Sequence, residues 1–242
     1  MDLYSIFGAL ERQSPGDTAF AERMLRLLPA LPARPRIADI GCGTGTGTLL
    51  LAEHFQASVM AVDTSSEFLR ILEQRAAERG LGGLVVTGQA DMGALGWPEG
   101  SLDLLWSEGA AYHLTLAGAL ATWRPLLAPG GIAVVSELTW FTELPPEEAR
   151  GYWESNYPAM GTEAENLARA AAAGYEVLGA HRLPEMAWRR NFYGPMRQRI
   201  AALRPAATEE DHALLDELET EAALFDRSDG AYGYTYYLLR KT

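Results

Sequence analysis

Apolar positions recur along the chain at two spacings. From Asp17 to Leu28 the run DTAFAERMLRLL repeats at helical spacing and predicts an amphipathic helix. The three prolines of LPALPARPR then end it. RIADIG is a different pattern, a short apolar run closing on an acid and a glycine, and it reads as a buried strand entering a turn. The two patterns alternate from there. TGTLLLAEHF predicts a helix and ASVMAVD a strand. SSEFLRILEQRAAERG predicts a helix with a serine N-cap, Glu67 in its first turn and Gly80 as its stop. LVVTGQAD and LDLLWSEG read as strands, AGALATWRPLL as a helix, APGG as a turn and IAVVSELTWF as a strong strand. EAENLARAAAAG predicts a helix stopping at Gly174, YEVLGAHRLP a strand, and YGYTYYLLRK an aromatic, β-rich last segment. Strands alternating with helices predict an α/β fold whose mostly parallel sheet is covered on both faces.

Composition narrows the class. The 242 residues, 48% of them hydrophobic, suit a single domain over residues 1–242 that needs no covalent staples. The lone Cys42 has no intramolecular partner, which suits a reducing compartment. No apolar run approaches the roughly 20 residues that span a bilayer. The opening MDLYSIFGALERQSPGD has neither a basic head nor an unbroken apolar core, so the expected setting is cytoplasmic and away from membranes. A formal net charge of −12 repels phosphate backbones and argues against a nucleic-acid partner.

The loop between the first strand and the first covering helix, DIGCGTGTG, brings in chemistry. Glycines there let a ligand approach the backbone, and the helix beyond offers free N–H groups and partial positive charge. The dinucleotide spacing G-x-G-x-x-G fails, because Thr46 or Thr48 stands where the third glycine belongs, and a phosphate-binding Walker loop fails for want of its lysine. What remains is G-x-G-x-G, at Gly41, Gly43 and Gly45.

This stretch, Asp39-Ile40-Gly41-Cys42-Gly43-Thr44-Gly45, resembles the first motif of the class I S-adenosylmethionine-dependent methyltransferases. Asp63 at the end of the second strand, QADM at the end of the third and LAPGG before the fifth follow in register, so that the resemblance covers roughly residues 35–182 and the last strand. It implies a Rossmann-like, doubly wound, seven-stranded sheet, mostly parallel with its last strand antiparallel, carrying helical cap insertions. It also implies S-adenosyl-L-methionine as cofactor. Asp39, Gly41, Cys42, Gly43, Thr44 and Gly45 would surround it, Cys42 as a small loop residue and not a nucleophile. Asp63 would take both ribose hydroxyls, with Thr64 beside it. Asp91 would accept from the adenine amino group and the Met92 N–H would meet the ring. Ser107 and Glu108 would border the cofactor. RQSPGD, LDLLWSEGAAYHL, VVSELTWF and GYTYYLLRK resemble, more narrowly, a subgroup of small-molecule methyltransferases, which implies an arm at Pro15, Gly16 and Thr18 closing over the cofactor.

An antiparallel last strand must begin at the ligand edge of the sheet, which places residues 184–229 there. Residues 140–160 and the N-terminal 1–28 are expected to join them as a cap. Its aromatics (among them Tyr4, Phe7, Trp153, Trp188 and Phe192) suit either an organic substrate or a small second core. Arg189, Arg190, Arg197, Arg199 and Arg204, followed by the acidic TEEDHALLDELETEAALFD, read either as an anion-binding cap or, preferred, as helices paired by charge. Glu108 and His113 are the candidate catalytic bases, and Tyr112, His113, Glu137, Trp140, Tyr157 and Tyr193 the candidate substrate contacts. Ser107-Glu108-Gly109-Ala110 replaces the Asp/Asn-Pro-Pro-aromatic motif of nucleobase amino methyltransferases, and no metal-ligand cluster is visible. The expected activity is methyl transfer to an O, N or S atom of a small metabolite. A non-catalytic cofactor-binding or partner-interaction module stays open as an alternative, with a nicotinamide-dependent dehydrogenase behind it.

Overall fold

The computed structural model describes residues 3–242, with side chains from residue 5 onward. The Tyr4 side chain, expected in the cap, and residues 1–2 of the first cap segment lie outside the described residues. The strands are β1 (Ile37–Ile40), β2 (Val59–Asp63), β3 (Val85–Gln89), β4 (Leu102–Ser107), β5 (Leu127–Trp140), β6 (Gly161–Thr162), β7 (Tyr175–Arg182) and β8 (Tyr232–Lys241). They form one sheet in the order β3-β2-β1-β4-β5-β8-β7, and β6 pairs separately with the end of β5. β1 to β5 run parallel, while β8 lies antiparallel between β5 and β7. The expected seven-stranded path with an antiparallel last strand is present. β6, at two residues, is too short to leave a period in the sequence.

β1 is buried at all four positions because helices cover both of its faces. α2 (Thr18–Leu27), α3 (Thr46–Phe55) and α4 (Ser66–Glu78) belong to one core layer, and α5 (Leu116–Trp123) and α7 (Glu163–Ala172) to the other. Alternation along β8 shows both layers at once: Tyr236 and Leu238 enter the first, Tyr237 and Leu239 the second. Side chains set the helix ends. Asp17 accepts from the Phe20 N–H at 2.8 Å, Ser65 accepts from Phe68, and Thr162 with Glu165 forms a capping box on α7. The helix expected to run through Leu127 stops at Trp123, because Pro125 has no N–H to continue it, and Arg124–Leu126 tightens into a 3-10 turn. APGG is absorbed into β5 as a bulge: Leu102 pairs with Leu127, but Leu104 pairs with Ile132.

The parallel strands release their chains at one edge of the sheet. The connection from β7 to β8 returns to that edge as α8 (Glu185–Trp188), a π-helical turn (Arg189–Tyr193), α9 (Gly194–Leu203) and α10 (Glu209–Arg227). α1 (Leu3–Phe7) lies against α9, with Phe7 stacked on Phe192 at 5.9 Å. α6 (Glu147–Asn156) contacts α10. Under these helices is an aromatic core in which Trp188 stacks on Phe225 at 4.6 Å and packs around Tyr232 and Tyr234. The lopsided charge resolves largely as pairing: Arg189 and Arg197 both bind Asp226, and Arg204 binds Asp216 and Glu219 at 2.7 Å each.

Candidate active site

β1 ends in a loop held from three sides. The Gly41 and Cys42 N–H groups donate to the Val62 carbonyl, and the Gly43 N–H donates to Asp63 Oδ2 at 2.9 Å. Gly41 has φ +71, and a Cβ there would meet the Ala110 Cβ at 2.3 Å, so the loop after β4 rests directly on its backbone. Gly43 has φ +54, and a Cβ would strike Gln13 Oε1 at 2.5 Å. The third side is therefore the N-terminal arm. Gln13 Oε1 accepts from the Thr44 N–H at 2.9 Å, and its Nε2 donates to the carbonyls of Phe7 and Leu10.

A cavity of about 570 Å³ opens over this loop. Of the cofactor candidates, Asp39, Gly41, Cys42, Gly43, Asp63, Thr64, Asp91, Met92 and Glu108 line it. Thr44, Gly45 and Ser107 do not line it. Thr44 is turned to the arm and accepts from Arg75 Nη1 at 2.6 Å. Gly45 caps α3, packed over Leu72. Ser107 is fully buried and its Oγ donates to the Ile40 carbonyl at 2.8 Å, which clips β4 to β1.

The acids differ in their surroundings. Asp63 Oδ1 accepts from the Ser65 N–H at 2.9 Å, so with the Gly43 bond each oxygen has one donor and keeps a free lone pair. Asp91 is fixed by the Gly93 N–H at 2.7 Å. Asp39 is 2% exposed and accepts from Thr48 Oγ1 at 2.6 Å. Burial pushes its pKa up to about 7, the Thr48 bond opposes this, and the charges of Glu108 and Asp63 add to it. Burial also raises the Cys42 thiol, which leaves it protonated and unreactive. Glu108 accepts from Trp106 Nε1 at 2.8 Å and from Arg12 Nη1 at 3.1 Å, so both of its oxygens are engaged.

Sequence comparison bears on the same residues. A family model described as a methyltransferase domain matches residues 37–131, which carry the glycine loop, Asp63, Asp91 and Glu108. The chain is 29% identical to a trans-aconitate 2-methyltransferase of Azoarcus sp., over 88% of each chain. It is 30% identical to phosphoethanolamine N-methyltransferase 1 of Arabidopsis thaliana over 48% of this chain, a match that spans 24% of the plant protein's length. In fold it resembles an S-adenosylmethionine-dependent methyltransferase from Geobacter sulfurreducens, solved with S-adenosyl-L-homocysteine, with a TM-score of 0.82 and 21% identity over 99% and 98% of the two chains. Residues 37–131 thus match a methyltransferase domain, and the chain as a whole has the fold of S-adenosylmethionine-dependent methyltransferases.

The remaining candidates fall into two groups. Tyr112 and His113 come from a 3-10 turn after β4 and line the cavity, their rings tilted together at 4.1 Å. Burial lowers the His113 pKa below its ordinary 6.5, so the imidazole is neutral at pH 7. Glu137, Trp140, Tyr157 and Tyr193 stand off the cavity wall. Trp140 packs edge-on to Tyr232 at 5.6 Å, and Tyr193 donates to Glu221 at 2.7 Å inside the aromatic core, so for both the second-core reading describes the placement. Glu137 is buried close to Tyr157, and among the described residues neither its oxygens nor the Tyr157 hydroxyl forms a hydrogen bond of good geometry. Burial is the main cause that lifts the Glu137 pKa to about 7.

Several residues of the cavity were not named as contacts from the sequence, namely Arg12, Gln13, Ser14 and Phe68, while Phe7 was read as a cap aromatic. The signal for the arm was present in RQSPGD, but it pointed to Pro15, Gly16 and Thr18. In the structure Thr18 Oγ1 accepts from Arg12 Nη2 at 2.9 Å, and Asn191 Nδ2 holds the Gly16 carbonyl and Asp17, each at 3.0 Å. Those residues position the arm, while Arg12 and Gln13 reach the cavity.

Proposed function

We propose that the protein transfers a methyl group from S-adenosylmethionine to an O, N or S atom of a small molecule. The observation that carries this is the pair of carboxylates, Asp63 and Asp91, at the ends of neighbouring parallel strands and facing one cavity with the glycine loop. The fit can be tested on the structure itself. The loop lines the cavity with bare glycine backbone at Gly41 and Gly43, and Asp63 retains acceptor capacity on both oxygens. Two ribose hydroxyls match that capacity. Asp91 suits an amino group on a purine. The N-terminus of α3, with Thr46 and Gly47 in the lining, and the Arg12 guanidinium suit a carboxylate, while Asp39 suits an ammonium.

When bound, S-adenosylmethionine supplies a methyl group on a sulfonium, a leaving group that needs alignment and dryness more than further activation. This chain's residues provide both. The arm lies over the glycine loop and is joined to Glu108 by Arg12 across the cavity. Glu108, with both oxygens engaged, serves as a fixed negative charge. His113 is neutral, lines the same cavity and can accept a proton from the acceptor. Enclosure by the arm and the helices above it favours a small molecule over a macromolecular surface. The relatives are named for phosphoethanolamine and trans-aconitate, so they do not agree on an acceptor.

A metabolite panel scored by S-adenosylhomocysteine release tests the proposal. Release dependent on at least one small acceptor is expected. Tight cofactor binding with no release on any acceptor would favour a non-catalytic module.

A further inference from the structure

β5 changes neighbours at the active edge. β4 accompanies it until Ser107 lies opposite Val135, and β6 takes over where Thr139 lies opposite Gly161. In the interval the chain after β4 turns away, and the Gly109 N–H donates to Ser136 Oγ at 2.7 Å in place of a ladder bond. Glu137 stands in that interval. It is 2% exposed, and neither carboxylate oxygen has a well-formed hydrogen bond among the described residues. The Tyr157 hydroxyl stands near enough to act as a weak donor that opposes the rise in the Glu137 pKa, but the two form no hydrogen bond of good geometry. The positive charge Glu137 feels is that of Arg169, whose Nη1 is spent on the Ala159 carbonyl and Asn166 Oδ1, at 3.0 and 2.7 Å. A buried carboxylate held this weakly costs stability, and a fold that keeps one needs a reason for it.

A line of aromatic rings connects this acid to the open cavity. Tyr112, 40% exposed, lines the cavity beside His113, and its ring meets that of Tyr157 edge-on at 6.1 Å. Burial, with the charge of Glu137 among the lesser causes, raises both phenols above their ordinary pKa, so both remain neutral rings. Electron-rich faces next to an unpaired carboxylate are the set that recognises an ammonium. A carboxylate or phosphate there would be repelled by Glu137, and a neutral hydroxyl would leave its charge uncompensated.

Resting on the reading that the open cavity holds S-adenosylmethionine, we infer that the acceptor is an amine, a small molecule whose protonated nitrogen docks against Glu137 beside the rings of Tyr112 and Tyr157 and gives its proton to a cavity base before its lone pair can take the methyl group. The subsite fixes the acceptor's class by charge, one step deeper than the cavity that takes the methyl donor.

The test is calorimetry at pH 8 on protein saturated with S-adenosylhomocysteine. It is titrated with butylamine, phenethylamine and tyramine, and with the alcohol and carboxylic acid matched to each. At least one amine is expected to bind tenfold or more tightly than its matched alcohol and acid, and Glu137→Gln is expected to erase that preference while S-adenosylhomocysteine binds as before. The variant should melt no lower than wild type at pH 8, since it removes an uncompensated charge; a fall of several degrees would mark Glu137 as structural and overturn the inference. Absence of amine preference in the wild type, or its survival in the variant, overturns the amine assignment and leaves the cofactor reading standing. Failure of S-adenosylhomocysteine to bind the wild type overturns both.

Discussion

His113 and Glu108 were equal candidates for a base as letters five residues apart, and their neighbours separate them. Glu108 is tied to Trp106 beside it and to Arg12, which lies 96 positions away and is invisible to any local reading. His113 sits on a short turn that ends at Thr115, a β-branched residue at φ +58, whose side chain caps α5 by accepting from the Gly118 N–H. Such a backbone costs roughly 1–3 kcal/mol and persists where surroundings impose it, as around functional residues. If His113 takes the acceptor's proton, the turnover rate should fall as the imidazole protonates, along an acid limb lying below pH 6.5 because burial depresses its pKa. His113→Gln should erase that limb and lower turnover at pH 7.5 by roughly 100-fold, the lower end of general-base effects. A rate–pH profile identical to wild type would remove His113 from the chemistry.

Elements with a strong period were legible in the sequence, and elements without one were not. The parallel strands, α3, α4 and the antiparallel last strand follow from apolar spacing and capping residues, and they are where the pattern put them. The bulge that draws APGG into β5 depends on pairing with β4, and the two-residue β6 depends on the end of β5; neither dependence is local. The arm is the clearest case. Residues 8–17 have no periodicity, and their meaning comes from Thr44, Arg75, Glu108 and Asn191, which only the fold brings near. The arm should therefore behave as a clasp whose loss weakens cofactor binding without unfolding the sheet. Arg12→Ala is expected to lower S-adenosylhomocysteine affinity roughly tenfold, the scale of one charge-assisted bond, and to speed limited proteolysis between residues 8 and 18. Unchanged affinity together with unchanged cleavage would show that the Arg12–Glu108 contact holds nothing in place.

For the molecule as a whole, one topological fact organises the rest. Because β8 runs antiparallel, the chain between β7 and β8 begins and ends at the edge where β2, β3 and β4 deliver their polar ends. The sequence pointed to a cap there and to charges paired within it; it did not single out Trp140 and Tyr193 for the aromatic core. At the same edge Asp39, Asp63, Asp91 and Glu108 face one cavity, and Glu137 stands just behind it. A field of that sign favours a sulfonium and an ammonium over an anionic ligand. Binding of the cofactor product at Asp63 is the claim on which all of this depends. Calorimetric titration of S-adenosylhomocysteine into wild type and Asp63→Ala tests it directly. Two charge-assisted hydrogen bonds of roughly 1.5–3 kcal/mol each predict a loss of affinity of at least roughly 100-fold in the variant. Near-equal affinities in the two proteins would contradict the assignment of this cavity to the cofactor.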